Sequence, residues 1–359
     1  MNTLGSRLAG EPKDYEKLGI SKGTVAPWED GSRTDGGSGS YEWWYFDAHL
    51  DDGTKLVIVF YTKRMMKTNS PLSPYVTIDL DTPDGRHFEE RLEVKGIPWS
   101  SSEEGCDVKC GPCYIKGDLK EYSIYYDDGN IQAEATLRAN VPSWRPGTGH
   151  IYFGDDDEHF FAWLPSVPEG DVQAEITVDG ITTTHTGTGY HDHNWGNIVM
   201  TKVMHHWYWG RAKVGGYNVI SSYIYAEKKY GYNEFPIFML AKDGEIVADD
   251  GQKLTFIPAD VFSDEVTGKP AHNQLVYQYE DEGRAYRVTW ARRTSLIAFR
   301  MIDQLKGVIR LLARISGFDA AYLRFTGDVT VEEVRSGAEP LTQEGPAIWE
   351  EMYFGKTRQ

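Results

Sequence analysis

Short segments rich in β-branched and aromatic residues recur along the chain, and tight turn sequences separate them. Residues 75–80 and 87–94, for example, flank the dipeptide Asp84-Gly85. Two apolar runs joined by Asp-Gly are typical of a β-hairpin. The other segments predicted as strands in the first half are residues 41–47, 55–62, 122–126, 131–138, 151–153, 159–164, 172–178 and 181–185. Regular repetition of such hairpins predicts an antiparallel sandwich or barrel.

The strand pattern starts again near residue 200, after a segment rich in histidine. Strands are predicted there at residues 206–212, 217–226, 236–240, 254–257, 274–279, 285–291, 322–334 and 348–354. We therefore predict an irregular N-terminal lead-in over residues 1–40, whose last ten residues are rich in glycine and serine. One β unit should follow over residues 41–200 and a second over residues 201–359.

A single segment, residues 295–316, has helical periodicity instead. Its apolar stripe steps by four and three residues and consists of Met301, Leu305, Val308, Leu312 and Ile315. A basic stripe lies beside it and consists of Lys306, Arg310 and Arg314. Gly317 is a suitable end for this helix. The stripe predicts packing against the barrel, and the alternative is a basic amphipathic helix on a membrane surface.

Composition narrows the class of protein. The formal charge is −17 over 359 residues, which argues against a nucleic-acid-binding protein because such proteins usually carry a basic surface. The 11 Trp and 22 Tyr suit a pocket for an apolar small molecule. The first 20 residues contain no apolar stretch of signal-peptide length, which predicts a cytoplasmic protein. No run of 18 apolar residues is present, so no transmembrane helix is predicted, and contact of the residue 295–316 helix with a membrane surface is possible but not favoured.

Three cysteines lie close together with the spacing Cys-x3-Cys-x2-Cys, namely Cys106, Cys110 and Cys113. An odd, local set is not a disulfide framework. The spacing matches radical-SAM clusters, but those follow the first strand of an α/β barrel, and no βα alternation exists here. Pro112 also stands where an aromatic residue is usual. Zinc would lack a fourth ligand, so we expect free thiols in a loop.

The densest concentration of chemistry is the segment Gly187-Thr-Gly-Tyr-His-Asp-His-Asn-Trp-Gly196. In an extended strand, successive side chains point to opposite faces. One face would then carry His191, His193 and Trp195, and the other would carry Tyr190, Asp192 and Asn194. This arrangement predicts proton transfer, with one face holding the reacting group. The alternative is a structural corner whose polar side chains tie down turn backbone.

Metal chemistry is not predicted. His191-x-His193 could supply two ligands on one strand face, as in cupins, but no glutamate follows within a few residues. The sequence also lacks the nucleophile elbow, the P-loop, the Rossmann fingerprint and the His-Glu-x-x-His motif. We therefore predict no metal and no cofactor.

Two aromatic segments flank the central one. In Glu42-Trp-Trp-Tyr-Phe46, a glutamate beside tryptophan could have a raised pKa in an apolar barrel, or could pair with a basic residue while the aromatic side chains fill the core. In His205-His-Trp-Tyr-Trp-Gly-Arg211, the arginine could pair with Asp192 or Glu42, or could lie on the surface.

These three segments, with Trp349-Glu-x-Met-Tyr-Phe-Gly355 at the end of the chain, resemble the AttH/CrtC lipocalin-like superfamily. The resemblance covers roughly residues 40–355. It implies an all-β fold of two consecutive lipocalin-like antiparallel barrels with a ligand cavity. Members include carotenoid 1,2-hydratases, kievitone-type hydratases and cofactor-free Diels–Alderases, which act on apolar substrates without a redox cofactor. Resemblance to the hydratases points to Asp192, His193 and Trp195.

Three functional hypotheses follow. The first is a hydratase or protonation-initiated cyclase of an isoprenoid-like alkene, with Asp192 and His193 handling the proton and with Trp195 and Trp44 facing the cation. The second is a pericyclase that folds its substrate, with Tyr190 or His191 polarising a carbonyl. The third is a non-catalytic carrier. The further candidates are Glu42 for catalysis, and Asn194, Trp207, Trp209 and Arg211 for binding the substrate.

Overall fold

The computed structural model describes residues 3–93, 96–305, 307, 310–311, 318–334, 337 and 339–357. The chain forms two compact units. The N-terminal unit comprises Leu8–Tyr152 and Asp156–Val199, and the C-terminal unit comprises Met1–Arg7, Phe153–Asp155 and Met200–Gln359. Nearly all regular structure consists of antiparallel strands, so the predicted all-β class is confirmed. Among the described helices, none is both long and apolar enough to cross a membrane.

The elements of the first half begin with a short strand and a helix. In chain order they are β1 (Ser6–Leu8), α1 (Pro12–Leu18), β2 (Tyr41–Leu50), β3 (Lys55–Tyr61), β4 (Tyr75–Asp81), β5 (His87–Leu92), β6 (Trp99–Ser101), β7 (Asp107–Cys110), β8 (Cys113–Gly117), β9 (Glu121–Asp127), β10 (Ile131–Ala139), β11 (His150–Phe153), β12 (His159–Val178) and β13 (Ile181–Gly196). Short 3-10 turns lie at Pro27–Asp30 and Met65–Lys67.

The main path of the N-terminal sheet runs β5-β4-β3-β2-β13-β12-β10-β9-β8-β7-β6. Residues from both ends of this path, including Leu92 of β5 and Trp99 of β6, pack on one shared apolar cluster. The sheet therefore curls around a single core. Burial alternates strictly along β10, as expected for strands with one face inside.

Strands β2 and β13 lie next to each other at the middle of this path. His193 is opposite Trp44 and Asp192 is opposite Tyr45. Glycine is required where the two backbones approach closely: a Cβ atom on Gly187 would lie 2.3 Å from the carbonyl oxygen of His49. Glycine at this position thus allows the backbone of β13 to lie close to that of β2.

The second half contains the strands of the C-terminal unit. In chain order they are β14 (Met204–Val214), β15 (Tyr217–Ala226), β16 (Glu234–Lys242), β17 (Glu245–Ala248), β18 (Leu254–Ser263), β19 (Pro270–Asp281), β20 (Arg284–Arg300), β21 (Ala321–Val334) and β22 (Leu341–Tyr353). Their order is β17-β16-β15-β14-β22-β21-β20-β19-β18. Short 3-10 turns lie at Met200–Lys202, Lys228–Tyr230, Gly251–Lys253 and Met301–Gln304. Aromatic side chains such as Phe238, Tyr277 and Trp290 dominate the core.

The predicted helix over residues 295–316 is wrong in its first part. Residues up to Arg300 belong to β20, where Ser295 pairs with Phe325 and Arg300 with Ala321. Pairing with a strand more than 20 residues away overrides the local helical periodicity. Residues 307, 310 and 311 are helical. Most of the predicted stripes, namely Lys306, Val308, Leu312, Arg314 and Ile315, lie outside the described residues.

The N-terminal lead-in is more regular than predicted. Helix α1 begins with Pro12, and the carboxylate of Asp14 accepts hydrogen bonds from the main-chain N–H groups of Gly10 and Glu11. This capping carboxylate and the N-terminal proline are both favourable at the start of a helix. Further along, Asp30 is completely buried. Residues 8–40 of this segment are therefore part of the folded N-terminal unit.

The cysteines are free, as predicted, but the predicted loop position holds only for Cys106, which precedes β7. Cys110 ends β7 and Cys113 begins β8, and the two residues pair across a turn. Gly111 in this turn has φ +60°, which glycine adopts without strain. All three thiols are buried. Their side chains therefore pack in the hydrophobic core of the N-terminal unit.

Candidate functional site

The histidine-rich segment is the last part of β13, and its side chains divide between two faces. His191 and His193 lie opposite Phe46 and Trp44 and are completely buried with them. Their neighbours Tyr190, Asp192 and Asn194 lie on the other face. The same strand thus carries two separate polar clusters, which we call the inner cluster and the outer cluster.

In the inner cluster, His193 is held between two indoles. Its ring stacks on Trp44, with centroids 4.5 Å apart, and lies 4.6 Å from the ring of Trp195. Its Nε2 atom is 2.8 Å from Oε1 of Glu42. The two tryptophans predicted to face a carbocation therefore enclose an imidazole instead.

Glu42 binds the segment that precedes β2. Its carboxylate accepts hydrogen bonds from the main-chain N–H of Arg33, from the N–H and hydroxyl of Thr34, and from the hydroxyl of Ser32. These donors and His193 surround both carboxylate oxygens. Glu42 thus anchors residues 32–34 and orients His193.

Asp30 completes the inner cluster, although no motif or spacing in the sequence selected it. Its Oδ2 atom accepts a hydrogen bond from the hydroxyl of Tyr122 and lies 3.2 Å from Nε2 of His191. On the other side of the ring, Nδ1 of His191 donates to the carbonyl oxygen of Tyr45 at 2.8 Å. Oδ1 of Asp30 lies 3.7 Å from Nδ1 of His193.

The two central groups of this cluster form an ion pair. Burial alone would raise the pKa of Asp30, but the charge and hydrogen bond of His191 outweigh it, so this pKa lies below its usual value. Burial alone would lower the pKa of His191, and the Asp30 charge reverses this shift as well. Because Nδ1 must carry a proton to donate to a carbonyl, the imidazole is doubly protonated when paired.

Three inner side chains could also hold a metal ion. The ligand atoms of Asp30, Cys106 and His191 lie within 4.8 Å of one another. Burial raises the pKa of the Cys106 thiol well above its usual value, whereas metals bind the thiolate. His193 is not in this group, so the histidine pair considered from the sequence does not converge on one point. A second, more exposed group consists of Asp79, Asp81 and His87.

The outer cluster is organised around Asp192. Its Oδ2 atom accepts hydrogen bonds from Nε1 of Trp163 and from the hydroxyl of Tyr190, both at 2.8 Å. Its Oδ1 atom accepts from Nδ2 of Asn194 at 2.7 Å. Burial raises the pKa of Asp192 to about 6, although these hydrogen bonds act in the opposite direction. This carboxyl group can hold or release a proton near neutral pH.

The predicted pair of Asp192 and His193 is not formed. The two residues are adjacent in an extended strand, so their side chains point to opposite faces, and each has its own partners. The alternation of side chains along a strand already predicts this separation of Asp192 from His193. Asp192 instead stays with Tyr190 and Asn194, which the same alternation placed beside it.

The remaining predicted site residues belong to β14 in the C-terminal unit. Trp207 donates its indole N–H to Glu350 at 3.1 Å, and Tyr322 donates its hydroxyl to the same carboxylate at 2.7 Å. Trp209 and Arg211 follow on the same face of β14 as Trp207. The hydrogen bonds described above for the Asp192 and Glu42 carboxylates lie within the N-terminal unit, and the pairing of Arg211 with either one stays a prediction.

Comparison with known proteins identifies the family. The family model described as Diels-Alderase-like matches residues 37–294. The chain therefore belongs to the Diels-Alderase-like family. This match and the related proteins confirm the resemblance to the AttH/CrtC superfamily.

The individual proteins that match this chain are similar to only part of it. The quinolone epoxide rearrangement protein asqO of Emericella nidulans is 33% identical over 196 residues, which is 50% of this chain and 53% of that protein. The chain spans between 50% and 61% of the length of the curated relatives it matches.

Two solved structures match nearly the whole chain. The crystal structure of CghA has a TM-score of 0.62 at 15% identity and covers 94% of this chain and 97% of that chain. Kievitone hydratase from Nectria haematococca has a TM-score of 0.54 at 13% identity and covers 98% and 97%, respectively. These structures confirm the fold of two lipocalin-like barrels.

Proposed function

We propose that this protein is a cofactor-independent enzyme that protonates an apolar natural product and thereby hydrates or cyclises it. The observation that carries the proposal is the buried carboxyl group of Asp192, whose pKa is raised to about 6. A general acid works best when its pKa lies near the working pH. Asp192 is therefore the proposed acid.

The partners of Asp192 suit a proton donor. Trp163, Tyr190 and Asn194 all point a donor N–H or O–H at the carboxyl oxygens. These donors stabilise the carboxylate that remains after the proton has left, more than they stabilise the neutral acid. They also fix the orientation of the carboxyl group, which an efficient acid requires.

The surroundings of Asp192 suit an apolar substrate. The ring of Tyr45 lies 6.2 Å from that of Tyr190, and the ring of Trp144 lies 6.2 Å from that of Trp163. Aromatic faces attract a developing carbocation. The inner cluster then has a supporting role, because its ion pair and stacked rings hold β13 in place.

The names of the relatives support chemistry of this kind. One is named for the rearrangement of a quinolone epoxide and another as a hydratase. Opening an epoxide and hydrating a double bond both begin when an acid delivers a proton to the substrate. A single buried carboxylic acid could therefore serve both kinds of reaction on the same fold.

A pericyclase is the second candidate, because the family model itself is named for Diels–Alder chemistry. In that case the pocket would fold the substrate into a reactive conformer. Tyr190 or Asp192 would then polarise a carbonyl without delivering a proton to carbon. The two functions differ in whether a hydrogen from solvent is transferred to a carbon atom of the product.

The test uses a panel of apolar polyenes and epoxide-bearing quinolones incubated with the protein in deuterated water. For an alkene substrate, protonation places deuterium on carbon in the product, whereas a pericyclic reaction places none. We expect Asp192→Asn to lower turnover by about 10²-fold or more. The exposed Asp156 supplies the matched control Asp156→Asn, which should keep wild-type turnover.

The pH profile provides an independent check. If the acid form is active, kcat/KM of the wild type should fall about tenfold for each pH unit above about 6, following the pKa of Asp192. Wild-type turnover in Asp192→Asn would remove this residue from the acid role. Product without carbon-bound deuterium from an alkene substrate would favour the pericyclase.

A further inference from the structure

A second group of buried polar side chains lies inside the C-terminal sheet, within the C-terminal unit and apart from Asp192. Trp349 and Glu351 are two residues apart on β22, so their side chains point to the same face. Tyr208 of β14 lies opposite Glu351, and Trp290 of β20 has its ring 5.7 Å from that of Trp349. All four side chains are at most 3% exposed.

Three polar atoms of this group have no hydrogen-bond partner among the described residues. They are Oε2 of Glu351, Nε1 of Trp290 and Nε1 of Trp349. The other oxygen of Glu351 accepts a long hydrogen bond, 3.4 Å, from the main-chain N–H of His272. A buried polar atom without a partner destabilises a protein, because it loses the hydrogen bonds that it would form with water. Three such atoms on one inner wall therefore indicate that something else satisfies them.

The chemistry of the three groups defines what they would bind. An indole N–H is only a donor. Burial raises the pKa of Glu351, opposed by His272, and a carboxyl group in its protonated form has an O–H to donate. The two indoles are thus fixed donors, and Glu351 adds a third donor when it is protonated. The matching ligand has oxygen acceptors, and a carbonyl compound meets this requirement.

The walls of this interior are flat and aromatic. Phe256 stacks on Tyr223 with centroids 4.4 Å apart and lies 4.8 Å from Tyr277 and 5.1 Å from Tyr208. Phe256 and Tyr223 are only partly buried. Among the described strands, the two ends of the sheet path, β17 and β18, do not pair with each other.

Two glycines make room for the indoles. A Cβ atom on Gly210 would lie 2.9 Å from Cβ of Trp349 and 3.0 Å from Cη2 of Trp290. A Cβ atom on Gly327 would lie 2.8 Å from Cη2 of Trp349. Both indoles are thus packed against bare backbone, which leaves them little freedom to move their N–H groups. Because these N–H groups are held in fixed directions, they are preorganised to bind a ligand.

We propose that the interior of the C-terminal barrel is a second small-molecule site, which binds a neutral, largely planar carbonyl compound through Trp290, Trp349 and Glu351. The site does not depend on the function proposed for Asp192. It would allow the protein to hold a cosubstrate, a product or a regulatory metabolite while chemistry proceeds in the other unit.

The experiment uses flavone and the smaller coumarin as probes, because both are neutral, planar and carry a carbonyl oxygen. The indole N–H signals of ¹⁵N-labelled protein are recorded during titration, and Trp290→Phe and Trp349→Phe assign the two relevant signals. We expect both signals to shift on addition of at least one probe. Calorimetry supplies the dissociation constant.

Substitutions of Glu351 separate binding from packing. Glu351→Gln keeps a neutral donor and should bind within about threefold of wild type, whereas Glu351→Leu should bind at least about tenfold more weakly, which equals ~1.4 kcal/mol. Glu350 is the matched control, since it is the neighbouring residue on the opposite face and is bound by Trp207 and Tyr322. Glu350→Gln should leave binding unchanged. Because Glu351→Leu could fail to fold, Trp290→Phe serves as a second test and should also weaken binding about tenfold.

The proposal is overturned if neither probe shifts either indole signal, which would mean that ordered water alone satisfies these atoms. Equal binding by folded Glu351→Leu and wild-type protein would also overturn it. Asp192→Asn should bind the probes as the wild type does. A failure at this site and a failure of the Asp192 proposal are therefore seen in different variants.

Discussion

Asp192→Asn allows the environment of the proposed acid to be tested without any substrate. The side chain is 7% exposed, and burial raises its pKa from 3.8 to about 6. A shift of about 2 pKa units corresponds to ~3 kcal/mol, at 1.36 kcal/mol for each unit. The folded protein binds this proton more tightly than the unfolded chain does, so the stability contribution is fully present below about pH 4. It is lost as the pH rises through about 6.

Asparagine keeps the shape of the side chain but does not titrate. The free energy of unfolding is measured by urea denaturation between pH 4 and pH 8 for the wild type and for Asp192→Asn. We expect the difference, variant minus wild type, to change by about 2 kcal/mol in favour of the variant between pH 4 and pH 7, because part of the total shift already occurs below pH 4. Comparing the two proteins at each pH cancels the other titrating groups. Asp156→Asn, at an exposed position, should give a difference that stays flat.

Two results would refute this reasoning. Parallel curves for the two proteins would mean that the pKa of Asp192 is not raised in the folded state. A variant that loses stability relative to the wild type as the pH rises would mean that the donors Trp163, Tyr190 and Asn194 outweigh burial. Asp192 would then be a structural anion, and a proton donor would have to be sought elsewhere.

Two further predictions concern the inner cluster and the cysteines. Asp30→Asn should lower the free energy of unfolding by about 3–5 kcal/mol, because it leaves the buried charge of His191 without a partner; a loss below about 1 kcal/mol in urea denaturation would contradict the ion pair. Cys106, Cys110 and Cys113 should not react with a disulfide reagent at pH 8 in the folded protein, because all three are buried and burial raises the pKa of Cys110 to about 11 and that of Cys113 to about 12. All three should react in guanidinium chloride, and a rapid reaction of any thiol in the native protein would contradict this prediction.

Much of the fold could be predicted because the alternation of buried and exposed residues is local. Along β10 and β21 every second side chain faces the core, and tight turns mark the ends of many strands. The same alternation predicted which side chains of β13 share a face. The lengths of the strands were harder to predict, since β12 and β13 extend well beyond the segments with clear alternation.

The site was harder to predict because its contacts are distant in sequence. Asp30 lies 161 residues from His191, in a short 3-10 turn whose sequence resembles many exposed turns. Only packing of the N-terminal segment onto the sheet brings the two together. Glu42 was selected for its aromatic neighbours, yet its partners lie at residues 32–34, in a segment that composition alone suggested was irregular.

The division of β13 into two faces explains how one strand can combine stability with a proton donor. Holding a carboxylate at Asp192 away from water destabilises the folded state at neutral pH, as worked out above. The inner face opposes this with groups that satisfy each other, since His191 pairs with Asp30 and His193 lies between Trp44 and Trp195. Because a strand cannot move one face without the other, a rigid inner face also fixes the direction of the outer carboxyl group. His191 and His193 therefore contribute to the proposed chemistry by holding the strand in position. Asp192, which lies between them in the sequence, is the group suited to donate the proton.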